Sequence, residues 1–183
     1  MNDHESLRRL LLERSVQRGE FVLSSGRRSS YYIDCRRTTM SARGLVLIGR
    51  LGLTAIRQAG WRPTAIGGLT LGADPVAYAI AAASAATEEV IDAFSVRKQE
   101  KQHGTGRLIE GNFEPSSNVV VVEDVITSGE SARRAAAAIR RAGGSVLGVL
   151  AIVDRQEGGR QALEAEGHTV VTLTTAGELG LEV

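Results

Sequence analysis

Four consecutive valines, Val119 to Val122, constrain this chain more than any other feature. A β-branched run with no polar alternation forms a strand buried on both faces, the condition of a parallel sheet covered by helices. The flanking pattern agrees. Thr64 to Gly67, Val90 to Val96, Asn118 to Val122, Ser145 to Val153 and His168 to Leu173 read as strands, and Asp74 to Ala86, Glu130 to Ala142 and Gly158 to Glu166 as helices between them. Strand alternating with helix predicts an α/β fold, a central, mainly parallel sheet flanked by helices. In such sheets ligands bind beyond the carboxyl ends of the strands.

The first third differs. His4 to Gly19 carries Leu7, Leu10, Leu11 and Val16 at roughly helical spacing. Phe21 to Leu23 and Ser30 to Asp34 are short β-prone runs around the turn-rich SSGRRS, which predicts a hairpin outside the main sheet. Met40 to Ala59 reads as a helix ended by Gly60. The expected organisation is one domain of 183 residues: an N-terminal helix and hood to about residue 38, then an α/β core.

A chain of this size buries about 70% of its unfolded surface and needs no disulfide or metal to hold its core. Its single cysteine, Cys35, cannot form an internal disulfide and suits a reducing compartment. The start, MNDHESLRRLLLERS, lacks the apolar stretch of a secretory signal, and Val76 to Ala86 is shorter than the ~20 residues that span a bilayer. A soluble cytoplasmic protein is expected, with no membrane contact. Net charge is +1, which predicts no nucleic-acid partner.

VVVVEDVITSGES, Val119 to Ser131, is the segment richest in chemistry. The strand delivers two acids, Glu123 and Asp124. Val125 and Ile126 lead into a short turn, Thr127, Ser128 and Gly129, and a helix opens with Glu130 and Ser131. Backbone N–H groups of such a turn and of the helix N-terminus cradle phosphate. The glycine-lysine-threonine ending of a Walker loop is absent, as is the G-x-G-x-x-G of dinucleotide binders. Taken alone, the segment is also compatible with a strand ending in a capped helix. Together, the hydrophobic strand, acid pair and T-S-G resemble the phosphoribosyl pyrophosphate (PRPP) motif of type I phosphoribosyltransferases.

The loop Val96 to Gly111 (VRKQEKQHGTGRLIEG) follows a strand and has the length of a lid. On its own it would be a solvated charge run. Its R-K-x-x-K-x-H-G pattern, Arg97, Lys98, Lys101 and His103, is similar to the catalytic loop of orotate phosphoribosyltransferases. FVLSSGRRSSYYID (21–34), GGLTLGADPVA (67–77) and VDRQEGG (153–159) resemble the same family, so the likeness covers nearly the whole chain.

The resemblance implies the type I phosphoribosyltransferase fold and transfer of the 5-phosphoribosyl group from PRPP to orotate, in pyrimidine (UMP) synthesis. It implies that Thr127 to Ser131 hold the 5′-phosphate, that Glu123 and Asp124 contact the ribose hydroxyls, and that Val125, Ile126, Arg97, Lys98, Lys101 and His103 bind PRPP. Lys101, His103 and Asp124 would be the catalytic residues. Arg155 and Thr127 would bind orotate, with Tyr31 and Tyr32 against the pyrimidine. Thr70 would donate to an oxygen beside the pyrophosphate. Mg²⁺ would be held mainly through PRPP, with no direct protein ligand. The partner would be a second copy, in a homodimer whose lid serves the neighbouring subunit. Many family members carry lysine where this chain has Ser24. Cys35 is expected to be structural, Trp61 to pack at a helix end and His168 to lie at the surface. The alternatives are transfer to another base, a PRPP-sensing regulator, and a generic nucleotide-binding α/β protein.

Overall fold

A computed structural model describes residues 2–22, 28–99 and 108–181. The order is α1 (Asp3–Arg14), β1 (Val16–Val22), β2 (Arg28–Ile33), α2 (Arg36–Thr39), α3 (Ala42–Gln58), β3 (Ala65–Leu69), α4 (Ala73–Ser84), β4 (Asp92–Val96), β5 (Ile109–Gly111), β6 (Asn118–Ile126), α5 (Glu130–Arg141), β7 (Ser145–Asp154), α6 (Gly159–Ala165) and β8 (Val170–Thr175). Six strands form one sheet in the order β5-β4-β3-β6-β7-β8, parallel except for β5. Two apolar clusters cover its faces. One joins α1, α3 and α4 to the sheet, the other α5 and α6. Val119 to Val122 are all 0% exposed, split between the two clusters as a strand buried on both faces requires. Each such side chain contributes about 1.5–3 kcal/mol of burial. On the α3 side the helices approach closely: a Cβ at Gly52 would collide with Ile80 of α4.

Two N-terminal helix boundaries depart from the sequence reading, and one short helix is added. The first helix ends at Arg14, not Gly19, because Val16 pairs with Ile33 in an antiparallel hairpin. Ser15 fixes that exit, its carbonyl accepting from Asp34 N and its hydroxyl lying 2.7 Å from that of Thr38. At its other end α1 has a reciprocal cap between Asn2 and Glu5, worth about 1 kcal/mol. The next helix starts at Ala42 because the Ser41 hydroxyl accepts from Gly44 N, and a separate turn of helix, α2, precedes it. The hairpin β1–β2 is a sheet of its own, as expected.

Three further differences lie in the core region. The valine strand continues past its acids to Ile126, because β7 pairs alongside it as far as Ile126 and Asp154. The short edge strand β5 forms where only loop was expected. His168 is 5% exposed rather than at the surface. Its Nε2 lies 3.4 Å from Arg140 Nη2, and burial, then that cation's charge, lowers its pKa. Trp61 packs over Gly148 of β7, and Cys35 is buried. No helix among the described residues is long and apolar enough to cross a membrane.

Candidate active site

The sheet order reverses between β3 and β6. From β3 the chain adds β4 and β5 on one side, and from β6 it adds β7 and β8 on the other. Such a switch point opens a crevice at the carboxyl ends of the strands. The ladder shows how. β3 and β6 pair only at Ala65–Val119, Ile66–Val120 and Gly67–Val121, whereas β6 stays paired to β7 for five residues more. Glu123 and Asp124 therefore lie on a strand anchored on one side and open on the other.

A cleft of about 820 Å³ fills this opening. Its floor is Glu123, Asp124, Val125, Thr127, Ser128 and Ser131; its walls include Leu69 to Gly72 after β3, Lys98 after β4, Arg155 after β7 and Tyr32 of the hairpin. A smaller hollow of about 90 Å³ opens beside it, lined by Glu123 and by every residue from Val125 to Ser131. Gly129 makes this cradle possible. Its φ of +76° suits glycine, and a Cβ there would crowd Gly159 and Leu163. Gly129 offers no capping side chain and Glu130 N makes only a 3.4 Å bond to Ser128 Oγ, so the N-terminus of α5 presents the positive end of the helix dipole to the hollow. A phosphate group matches that field and those donors.

The two acids differ electrostatically. Glu123 is 6% exposed, and burial, reinforced by the neighbouring Asp124 charge, raises its pKa well above the usual carboxylate range. Asp124 is half-buried and accepts from Val125 N at 2.9 Å. Opposite, a Cβ at Gly72 would lie 2.5 Å from Asp124 Oδ1, so glycine is what lets the loop after β3 approach that carboxylate. In the same loop, Thr70 donates to Asp74 Oδ2 at 2.5 Å. Cys35 also lines the cleft, but burial, with the nearby acid charges, pushes its thiol well up and keeps it protonated. Among the described residues no group of three or more His, Cys, Asp or Glu is arranged to hold a metal ion.

The far wall is formed by Arg155 and the hairpin. Arg155 is 5% exposed. Its guanidinium lies 4.8 Å from the Tyr31 ring centroid, its Nη2 pairs with Glu157 at 2.8 Å and lies 3.5 Å from Ser29 Oγ. Among the described residues, Arg155 Nε and the Tyr31 hydroxyl are buried without a hydrogen-bond partner. Buried polar groups left unpaired are costly, and Arg155 lines a cleft in which a ligand can supply an acceptor. Neighbouring residues of a strand face opposite ways. Tyr31 is accordingly buried against Arg155, while Tyr32 is 39% exposed, lines the cleft and packs on Phe21 with ring centroids 5.8 Å apart.

The cleft thus gathers Glu123, Asp124, Thr127, Ser128, Ser131, Lys98, Tyr32 and Arg155, with Ile126, Gly129 and Glu130 in the adjoining hollow. Arg97 instead pairs with Glu110 of β5 at 3.0 Å, and the Lys98 carbonyl accepts from Arg134 of α5 at 2.8 Å. Lys101 and His103 lie outside the described residues, as does Ser24. Arg36 and Asp34, which line the cleft as an ion pair at 2.8 Å, were not singled out from sequence. The hydrogen bond from Arg36 is the main cause holding Asp34 below the usual carboxylate range. Nothing in the local pattern marks them. Glu157 was visible in VDRQEGG, but its pairing with Arg155 was not.

No family model matches the chain. Individual relatives do. The chain is 44% identical over 182 residues to an orotate phosphoribosyltransferase of Aquifex aeolicus, covering 98% of each. To one of Rhodopirellula baltica it is 43% identical over 177 residues, 94% of this chain and 92% of that one. Among solved structures, the Mycobacterium tuberculosis orotate phosphoribosyltransferase in complex with PRPP superposes with a TM-score of 0.83 at 43% identity, covering 98% of this chain and 100% of that one.

Proposed function

The chain belongs to the orotate phosphoribosyltransferase family and is a pentosyltransferase with the type I phosphoribosyltransferase fold; we propose that it transfers the 5-phosphoribosyl group of PRPP to orotate, yielding orotidine 5′-monophosphate and pyrophosphate. The observation that carries this reading is one cleft that joins a helix-capped phosphate cradle to a buried arginine with an unpartnered N–H.

On this reading the 5′-phosphate docks on Thr127 to Ser131 and the N-terminus of α5. Glu123 and Asp124 meet the ribose 2′- and 3′-hydroxyls. Burial biases Glu123 toward its neutral form, which can donate as well as accept, and Asp124 faces the positive charge that builds at C1. Arg155 takes the orotate carboxylate, the group that distinguishes orotate from uracil. Tyr31 supports the guanidinium and Tyr32 borders the pyrimidine. The C1–oxygen bond to pyrophosphate breaks, and the deprotonated pyrimidine nitrogen bonds to C1 from the opposite face. No protein nucleophile is required, in keeping with the protonated Cys35; positioning and electrostatics carry the reaction.

Asp124 and Glu123, with no third His, Cys, Asp or Glu grouped with them among the described residues, fit a Mg²⁺ ion held chiefly by diphosphate and ribose oxygens and by water. When bound, Mg²⁺ would neutralise charge on the leaving pyrophosphate. Lys101 and His103, with Lys98 and Arg97, complete the charge set on a lid that excludes water. The active form is a homodimer in which each lid serves the neighbouring subunit, working in the cytoplasm in pyrimidine nucleotide synthesis.

One assay tests the reading: pyrophosphate release from PRPP and Mg²⁺ with orotate, uracil, hypoxanthine or adenine, across a range of protein concentrations. Orotate should be used far better than the others, with specific activity falling as the dimer dissociates. Release with another base but not orotate overturns the substrate. Full activity in a demonstrated monomer overturns the shared lid.

A further inference from the structure

The loop after β7 holds an ion pair that the reaction scheme does not use. Arg155 Nη2 and Glu157 Oε1 are 2.8 Å apart, and both side chains are 6% exposed. A buried ion pair is weak evidence for stability, because desolvation offsets most of its attraction. What such a pair does supply is fixed geometry. The turn that carries it is held from both ends. Gln156, between the two, has a φ of +60°. Its N–H donates to Asp154 Oδ1 at 2.8 Å, and its side-chain oxygen accepts from Gly177 N at 2.9 Å. The turn between Arg155 and Glu157 is thus held in place, with the two side chains paired across it.

The consequence falls on the guanidinium. One of its faces lies against the Tyr31 ring, and Glu157 secures Nη2. The guanidinium is held at two points, while Nε keeps an N–H with no partner among the described residues. A planar fork binds a carboxylate well only in the correct orientation. A long arginine side chain without such an anchor would lose that orientation among its rotamers.

We propose that Glu157 is a positioning residue for base recognition: it holds the Arg155 guanidinium against the Tyr31 ring so that the free N–H meets the substrate carboxylate. The proposal rests on the reading of Arg155 as the orotate partner. Glu157 touches no reacting atom. Its removal should act on orotate binding and spare the PRPP side of the cleft.

The test is steady-state kinetics of Glu157→Ala, Glu157→Gln and Arg155→Ala with orotate and PRPP varied separately. Glu157→Ala should raise the orotate KM about tenfold while kcat and the PRPP KM change by less than about threefold. Glu157→Gln keeps an acceptor oxygen for Nη2 and should recover most of that loss. In the Arg155→Ala background, Glu157→Ala should add little, because the two act as one unit. Both KM values rising together with a fall in Tm would mean a merely structural role and overturn the proposal. So would an unchanged orotate KM in Glu157→Ala when Arg155→Ala raises it. An unchanged orotate KM in Arg155→Ala would instead remove Arg155 from the site. Should Glu157→Ala fail to fold, Glu157→Asp, one methylene short, carries the same test with a smaller expected rise.

Discussion

On the proposed phosphate side of the cleft, the candidate residues from Glu123 to Ser131 sit on β6 or on the turn and helix start that follow, with β7 paired alongside to Ile126. On the proposed base side, Tyr31 and Tyr32 sit on a hairpin whose strands pair only with each other, and Arg155 sits on a turn. The first set is positioned by sheet and helix hydrogen bonds. In the second, backbone bonds place the chain, with Tyr31 and Tyr32 paired to β1 and Arg155 N donating to the Ile126 carbonyl, but side chains set the guanidinium: Arg155 on Tyr31, Glu157 and Ser29 on Arg155. A group common to every phosphoribosyl donor can be bound by the fold itself. A group that marks one particular base has to be bound by parts that differ without disturbing the sheet.

Gly159→Ala puts that contrast under the greatest load. The added Cβ would lie 2.4 Å from the Thr127 carbonyl oxygen and 2.8 Å from Gly129 N, so the phosphate turn must shift although Gly159 does not line the cleft. Because small misplacements of positioning groups cost up to about a hundredfold, kcat/KM for PRPP should fall roughly ten- to a hundredfold. Initial rates with PRPP varied check this. Unaltered rates would mean that the phosphate side yields as readily as the base side.

Tyr31→Phe probes the other half. It keeps the ring under Arg155 and deletes a buried hydroxyl with no partner among the described residues. Removing an unsatisfied hydroxyl should leave the ligand-free protein as stable or up to about 1 kcal/mol more stable. If the hydroxyl finds its acceptor when substrate binds, the orotate KM should rise about two- to tenfold, the value of one hydrogen bond. Thermal unfolding and orotate titration read the two effects. A stability loss with unchanged KM would make Tyr31 purely structural.

The smallest effect separates the two acids. Glu123 has its pKa raised above the ordinary 4.5 by burial and then by Asp124, so the fold favours its neutral form. The stability it contributes is complete below the ordinary value and is lost as pH rises through the folded value. Glu123→Gln is neutral at every pH. In ligand-free protein it should melt above wild type at pH 8, with the difference closing as the pH falls toward 4.5. A pH-independent difference in Tm would contradict the buried, proton-holding state of Glu123.

Much of the phosphate side was legible in the sequence because its signals are local: a β-branched run, two acids, a hydroxyl-rich turn and a helix start lie within Val119 to Ser131. The strand's full length was not. Glu123 and Asp124 are poor strand formers, and only pairing with β7 keeps them extended. The switch point between β3 and β6 is a matter of strand order, which no short segment encodes. Three-residue β5 owes its existence to β4. Val16 fitted a helical stripe and went to the hairpin, because pairing with Ile33 outweighs a weak periodicity. The base side was harder still. Arg155 was singled out by resemblance, whereas its contact with Glu157 depends on a positive φ at Gln156, a residue type that gives no warning of one.

The unequal pairing of β6 reaches beyond its role in opening the crevice. Joined to both neighbours at its root and to β7 alone near its tip, the strand is a cantilever. Its clamped part is the valine core; its overhang carries the carboxylates. Force exerted by a ligand on the overhang runs back into a clamp that does not give. Whatever closes over a substrate must then be supplied by the loops around the overhang, with the sheet as a stationary anvil.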